Sequence, residues 1–382
     1  MKEVLLVGLG AVGAVYALVL KKSGAARVTV VARSNYEIVK SEGIHFKSQR
    51  YGDVAGWRPD RLCRSVEEAS DQVYSHVLVT TKTVPEVQTT PQLLAPLLSP
   101  PYTDKFPVPV FVLLQNGLNI HLELFQTLKK LRPFEDPKII SGSLWIGTRL
   151  AAKNVVEHSY FDRVHLGVCR STPNILFNTE EETATLNEIG DMMKAGGSDI
   201  IIVPEIQRVK FEKNIVNCVI SPSTSLPRYP MQTVFRPPQV TVESPELPPT
   251  TPYANVYDVF IPASYPIIAE NTIPFLHDAF AEVAAVGNAL FPPTAEGPVF
   301  GKKTALNVLK SIADIASKAT STERLSMHVD VEMGRPTELE VIVGEVVHAG
   351  RKLGVSTPRL ETLYALMAVV QTQLLRAREN HK

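Results

Sequence analysis

Lys213, Asn217 and Ser221 are spaced by four in the run Arg208–Ser221, so on a helix they share one slowly drifting face. Ile215, Val216, Val219 and Ile220 supply the side that packs. A polar row beside such a face is either solvated or the wall of a cleft, and spacing alone leaves both open. In a cleft, the lysine is a general acid whose ammonium can also offset charge forming on a substrate oxygen. Lys210, one turn earlier, is expected to tolerate alanine far better than Lys213. A second group lies downstream, at Ser326 and in Gly334-Arg335-Pro336-Thr337-Glu338. Pro336 and Thr337 suit a helix start, and a first-turn acid is favoured by the helix dipole, which alone would account for Glu338. Glu338 also shares a face with Val341, Ile342 and Glu345, at the border of an apolar stripe.

The other chemistry is at the amino terminus. Gly8-Leu9-Gly10-Ala11-Val12-Gly13 follows an apolar run and opens a helical one, the context a dinucleotide-binding loop requires. The first glycine makes the tight turn, the second lets backbone amides approach a pyrophosphate, and the third lets helix and strand pack closely. The second strand ends Val31-Ala32-Arg33-Ser34. NAD-binding folds place an acid there for the ribose hydroxyls, whereas a guanidinium suits a 2′-phosphate, so NADPH is the expected cofactor. Two more strand ends carry polar residues, Thr80-Thr81-Lys82 and Leu114-Gln115-Asn116-Gly117. Taken alone, Lys82 could be an exposed cap and Asn116 a turn former.

The elements that must position these groups alternate in the first half of the chain. Strands are expected at Glu3–Val7, Arg27–Ala32, His76–Thr81, Val108–Leu114, Lys138–Gly142 and Ile200–Val203, with helices between them, as in a parallel sheet covered by helices. Val155–His158 and Arg163–Gly167 read as an antiparallel pair at the sheet edge. Beyond Pro204 the pattern changes to amphipathic helices over Glu205–Ile220, Tyr265–Ala289, Thr304–Lys318, Thr337–Leu353 and Pro358–Glu379. The fold class is therefore α/β, with a Rossmann-type dinucleotide-binding domain over 1–204 and an all-helical domain over 205–382. Pro227–Pro262 holds nine of the 29 prolines, and is expected to be an irregular insertion.

With 382 residues, two domains are the natural division. Thirty-nine basic residues balance 39 acidic ones, which argues against nucleic-acid or membrane-surface binding. Cys63, Cys169 and Cys218 form no CxxC pair and read as buried thiols, with no metal site expected. The amino terminus shows no leader pattern, and a cytoplasmic protein is the simplest expectation.

The GxGxxG loop, a strand ending in Lys82, the LQNG segment Leu114–Gly117, the KxxxN pair Lys213–Asn217, and a serine twelve residues before Thr337-Glu338 together resemble the ketopantoate reductase family. The motifs occur in the family's order across nearly the whole chain. The resemblance implies that Lys213 is the catalytic acid and that Glu338 stands beside lysine and cofactor. It implies cofactor contacts at Gly8, Leu9, Gly10, Ala11, Val12, Gly13, Arg33, Lys82 and Asn116. Asn116, Lys213, Asn217, Ser221 and Ser326 would meet the substrate, a small 2-keto acid, with Ser326 on its carboxylate. Two departures stand out. Ser221 occupies the place of a second substrate-binding asparagine, and Pro227–Pro262 exceeds the family's short connection. The expected activity is NADPH-dependent reduction of 2-dehydropantoate to pantoate. The alternatives are reduction of another branched 2-keto acid and a catalytically silent NADPH-binding partner protein. A homodimer is left open.

Overall fold

The structure, a computed structural model, describes residues 1–172, 174–236, 261–293, 297–318, 321 and 324–380. It divides into two compact units, Met1–Lys210 and Phe211–Lys382. The division falls inside the helix Ile206–Ser225 rather than ahead of it.

The first unit is built on β1 (Lys2–Val7), β2 (Ala26–Val31), β3 (Ile44–Ser48), β4 (Gly52–Trp57), β5 (Arg61–Cys63), β6 (His76–Val79), β7 (Val110–Leu113), β8 (Ile139–Ala152), β9 (Val155–Val168) and β10 (Asp199–Ile202). Among the described residues their order is β4-β3-β9-β8-β7-β6-β1-β2-β5, with β10 on β9. The central strands β1, β6 and β7 are buried runs such as Val4-Leu5-Leu6-Val7 and Phe111-Val112-Leu113. Parallel strands covered on both faces read that way, without alternation, which is why these strands are visible in the sequence.

The edges differ from expectation. Val155–His158 and Arg163–Gly167 are not two paired strands; both belong to β9, which pairs antiparallel with β8 along almost its whole length. The polar and aromatic run Ser159-Tyr160-Phe161-Asp162 looks like a turn, but it continues the strand past a register shift between Ile146 and Thr148. The short β5 and the glycine-interrupted β4 carried no readable period. Behind β9, the buried Asp162 accepts from Tyr16 Oη (2.9 Å), Tyr51 Oη (2.5 Å) and Ser198 Oγ (2.5 Å). These bonds tie the first helix, Ala11–Lys22, to the sheet.

Helices are the regular elements of the second unit's described residues, chiefly Ile273–Leu290, Thr304–Ala316, Ser326–Glu332, Glu345–Leu353 and Pro358–Glu379. Glu282 accepts from the Arg359 and Leu360 amides, the free donors that open the last helix. The helix expected to end at Ile220 runs on through Pro222 to Ser225. Proline removes the donor that would reach the Cys218 carbonyl, and in the following turn the Ser223 and Thr224 hydroxyls donate to the Val219 and Ile220 carbonyls. The helix expected from Thr337 begins only at Leu339, and its first turn, Glu340–Gly344, is π-helical. Within Pro227–Pro262, residues 237–260 lie outside the described residues. Its described flanks hold one short helix, Gln232–Phe235; Phe235 and Ile261 are fully buried, and the Ser264 amide donates to the Val234 carbonyl. Among the described residues no helix is long and apolar enough to cross a membrane.

Candidate active site

Because β2, β1, β6, β7 and β8 run parallel in adjacent places, the segments that follow them emerge along one edge of the sheet. Gly8–Gly13, Arg33, Thr80–Lys82 and Asn116 therefore line that edge, where ligands bind in such sheets. Gly8 has φ +107°, a conformation that side chains rarely adopt. A Cβ on Gly13 would lie 1.9 Å from the Gly8 carbonyl, so any side chain would push helix and strand apart. A Cβ on Gly10 would meet nothing within 4 Å. The helix it opens has no side-chain cap and no acid in its first turn. The amides of an uncapped helix start with no acid in its first turn fit a dinucleotide phosphate. Arg33 is exposed in the bend after β2, Lys82 is exposed, and Asn116 is half-buried.

Side chains to which the sequence assigned no role hold this edge together. Thr80 Oγ1 donates to the Gly8 carbonyl (2.6 Å), and the buried Asn35 amide donates to the Leu9 carbonyl (2.8 Å). Gln115 Nε2 reaches the Thr81 carbonyl (2.8 Å), joining two loops. Lys210 is buried at 5% exposure. Its ammonium donates to the Gln115 carbonyl (2.9 Å) and to Ser141 Oγ (3.2 Å). Burial, reinforced by this cation, pulls the His121 imidazole down to about 4, so that ring is neutral. Cys169, also near Lys210, is pushed up to about 12 by burial and is an inert thiol.

In the second unit the polar row on Ile206–Ser225 is partly withdrawn from water. Lys213 and Asn217 are half-buried and Ser221 is buried. Burial lowers the Lys213 amine to about 8, against a raising influence from the Glu338 carboxylate, so the structure brings these two together. Glu338 is buried, just ahead of the π-helical turn. Ser326 is exposed at the start of Ser326–Glu332. His328 Nδ1 lies 3.0 Å from the Thr224 carbonyl and joins that helix to the end of the Lys213 helix. Thr337 is bracketed by Gln371, whose Oε1 accepts from its amide (2.8 Å) and whose Nε2 donates to its carbonyl (3.1 Å). Asn214, next to Lys213, donates from Nδ2 to the Ile342 carbonyl (2.8 Å). The i, i+4 row of Lys213, Asn217 and Ser221 does not include Asn214, whose partner lies far along the chain.

The family described as ketopantoate reductase PanE/ApbA matches residues 4–171, and its C-terminal counterpart matches residues 267–371. This chain belongs to the ketopantoate reductase family. An uncharacterized protein of Saccharomyces cerevisiae is 25% identical over 98% of this chain and 95% of its own length. A structure of 2-dehydropantoate 2-reductase from Methylococcus capsulatus superposes with a TM-score of 0.69 at 24% identity, covering 97% of each chain. A ternary structure of D-mandelate dehydrogenase with NADH and anilino(oxo)acetate superposes with a TM-score of 0.67 at 16% identity, covering 97% of this chain and 99% of that one. Likenesses at this identity establish the shared fold: a sheet-and-helix unit followed by an all-helical one. Membership of the family makes the chain an oxidoreductase using a nicotinamide dinucleotide.

Proposed function

We propose that this ketopantoate reductase family member reduces 2-dehydropantoate to pantoate with NADPH. The observation that carries the reading is Lys213, an amine brought down to about 8 by burial and held near Glu338. An acid working near neutral pH needs a proton it can release, and an amine at its ordinary value holds its proton too tightly. When bound, the cofactor supplies the hydride. Lys213 Nζ gives its proton to the carbonyl oxygen of the substrate, and its charge offsets the alkoxide as it forms. Glu338 keeps the amine protonated between turnovers. Asn217 and Ser221 hydrogen-bond the substrate, Asn116 touches substrate and nicotinamide, and Ser326 holds the carboxylate. Gly8–Gly13 receive the pyrophosphate, Lys82 adds a cation, and Arg33 takes the 2′-phosphate.

Ser221 supports a second reading. A hydroxyl where the family has an amide changes which groups on the substrate can be matched, and another branched 2-keto acid would then be preferred. Oxidation of NADPH by the purified chain with a panel of 2-keto acids decides between them. Turnover of 2-dehydropantoate above the rest supports the first reading. A clear preference for another keto acid replaces it with the second, and no turnover of any would remove both.

A further inference from the structure

Ile206–Ser225 carries Lys213, and acid catalysis depends on where Nζ stands. The residue bonded to Lys213 is Asn214, whose side chain is buried at 4% exposure. Its amide donates to the Ile342 carbonyl at 2.8 Å. The amide of Ile342 in turn donates to the Glu338 carbonyl at 3.1 Å. Two hydrogen bonds therefore connect the backbone of Glu338 to the neighbour of Lys213.

Ile342 lies in the middle of the π-helical turn Glu340–Gly344. An α-helix commits each interior carbonyl to the amide four residues on, and a π-helical turn breaks that register. Such turns are seldom kept without a reason, and this one is braced. Tyr364 Oη donates to Glu340 Oε2 at 2.6 Å, and His348 Nδ1 lies 3.2 Å from Glu340 Oε1. The Glu340 carboxyl folds over Gly344, where a Cβ would lie 2.6 Å from it. On the other side Thr337 is fixed by Gln371. Glu338 is thus held from both chain directions, and Asn214 is the side chain through which that rigidity reaches the helix of the acid.

We propose that Asn214 is a positioning residue, which sets the separation of Lys213 and Glu338 through the carbonyl that the π-helical turn offers it. The inference rests on Lys213 as the acid. Asn214→Leu removes the donor and keeps the bulk. Three enzymes are compared with the parent: N214L, Glu338→Gln and the double variant. Turnover is measured in each, together with the titration of the Lys213 amine, followed by competitive acetylation and mass spectrometry. In the parent that amine titrates at about 8, with Glu338 raising it.

We expect N214L to lower the Lys213 titration in the same direction as E338Q and to reduce turnover by about 10- to 100-fold. In the double variant neither effect should add to that of E338Q, since both variants break one link. A parental titration and turnover in N214L would overturn the inference, as would effects that multiply with those of E338Q. If Lys213→Ala keeps parental turnover, the acid assignment falls, while the acetylation readout still judges the positioning. Should N214L not fold, Asn214→Ala, which removes bulk instead of replacing it, carries the same comparison.

Discussion

The glycine loop at the sheet edge and the Lys213 helix are held in place by different means. At the loop, backbone sterics decide. Gly8 sits at φ +107° and Gly13 has no room for a Cβ, so residue identity and geometry are almost the same statement. At the helix, ties from distant residues bear on Lys213. Its place follows from Asn214 reaching Ile342 and from Thr337 bonding Gln371, across more than a hundred and about thirty residues of sequence respectively. A site of the first kind is written in consecutive residues, and its parts fail together. A site of the second kind is assembled from distant ones, and its parts can be separated by mutation.

The largest expected effect is at the assembled site. Lys213→Ala should lower turnover by at least about 10²-fold, the lower range for a positioned acid, with NADPH affinity nearly unchanged. A loss of NADPH affinity of similar size would mean that the two sites are not separable in this way. The pH dependence has two opposite signs. Turnover should fall as pH rises through about 8, because the acid loses its proton. The amine's folded value lies below its ordinary one, so the fold disfavours the charged form. Between the two values the unfolded chain holds more protons, and this group's contribution to stability rises with pH. Its penalty is fully present below about 8 and is relieved above it. Parallel pH profiles of turnover and of thermal unfolding, for the parent and for Lys213→Ala, would test the pairing.

This contrast also accounts for what the sequence disclosed. The buried parallel strands, the GxGxxG loop and the helical second unit follow from local pattern, and so does the Lys213-Asn217-Ser221 row. The continuation of β9 through Ser159–Asp162, the helix past Pro222 and the π-helical turn do not, because each depends on pairings that hydrophobic periodicity does not display. Lys210 shows the point most clearly. By spacing it is one more cation near the start of a helix, yet its ammonium supports the Gln115 carbonyl and Ser141. Lys210→Met keeps the stem and strands those acceptors in the interior, which should cost about 1–3 kcal/mol of stability and loosen the loop that carries Asn116. The expected signature is a lower unfolding temperature and weaker NADPH binding, with a smaller fall in turnover than for Lys213→Ala. If Lys210 were the dead variant and Lys213 the tolerant one, the assignment of the whole polar row would be wrong.

The smallest effect is expected at a part of the cofactor edge that sterics do not fix. Arg33 is exposed in the bend after β2, and the bend itself is set by Asn35 bonding the Leu9 carbonyl and by the Ala32 amide donating to the Cys63 carbonyl. Changing the Arg33 side chain should leave that backbone in place. In Arg33→Asp a carboxylate would face the 2′-phosphate where a guanidinium had faced it. A charge-assisted hydrogen bond is worth about 1.5–3 kcal/mol, and solvent screening at an exposed position favours the low end, about tenfold in affinity. The same carboxylate could accept from the ribose hydroxyls of NADH, as acids at this position do in NAD-binding folds. The ratio of NADPH to NADH affinity should therefore fall by about tenfold or more, and most steeply at low salt. Fluorescence titration of both cofactors at two ionic strengths measures it. An unchanged ratio would make Arg33 a solvated bystander, leaving the cofactor's phosphate to be read elsewhere on the edge.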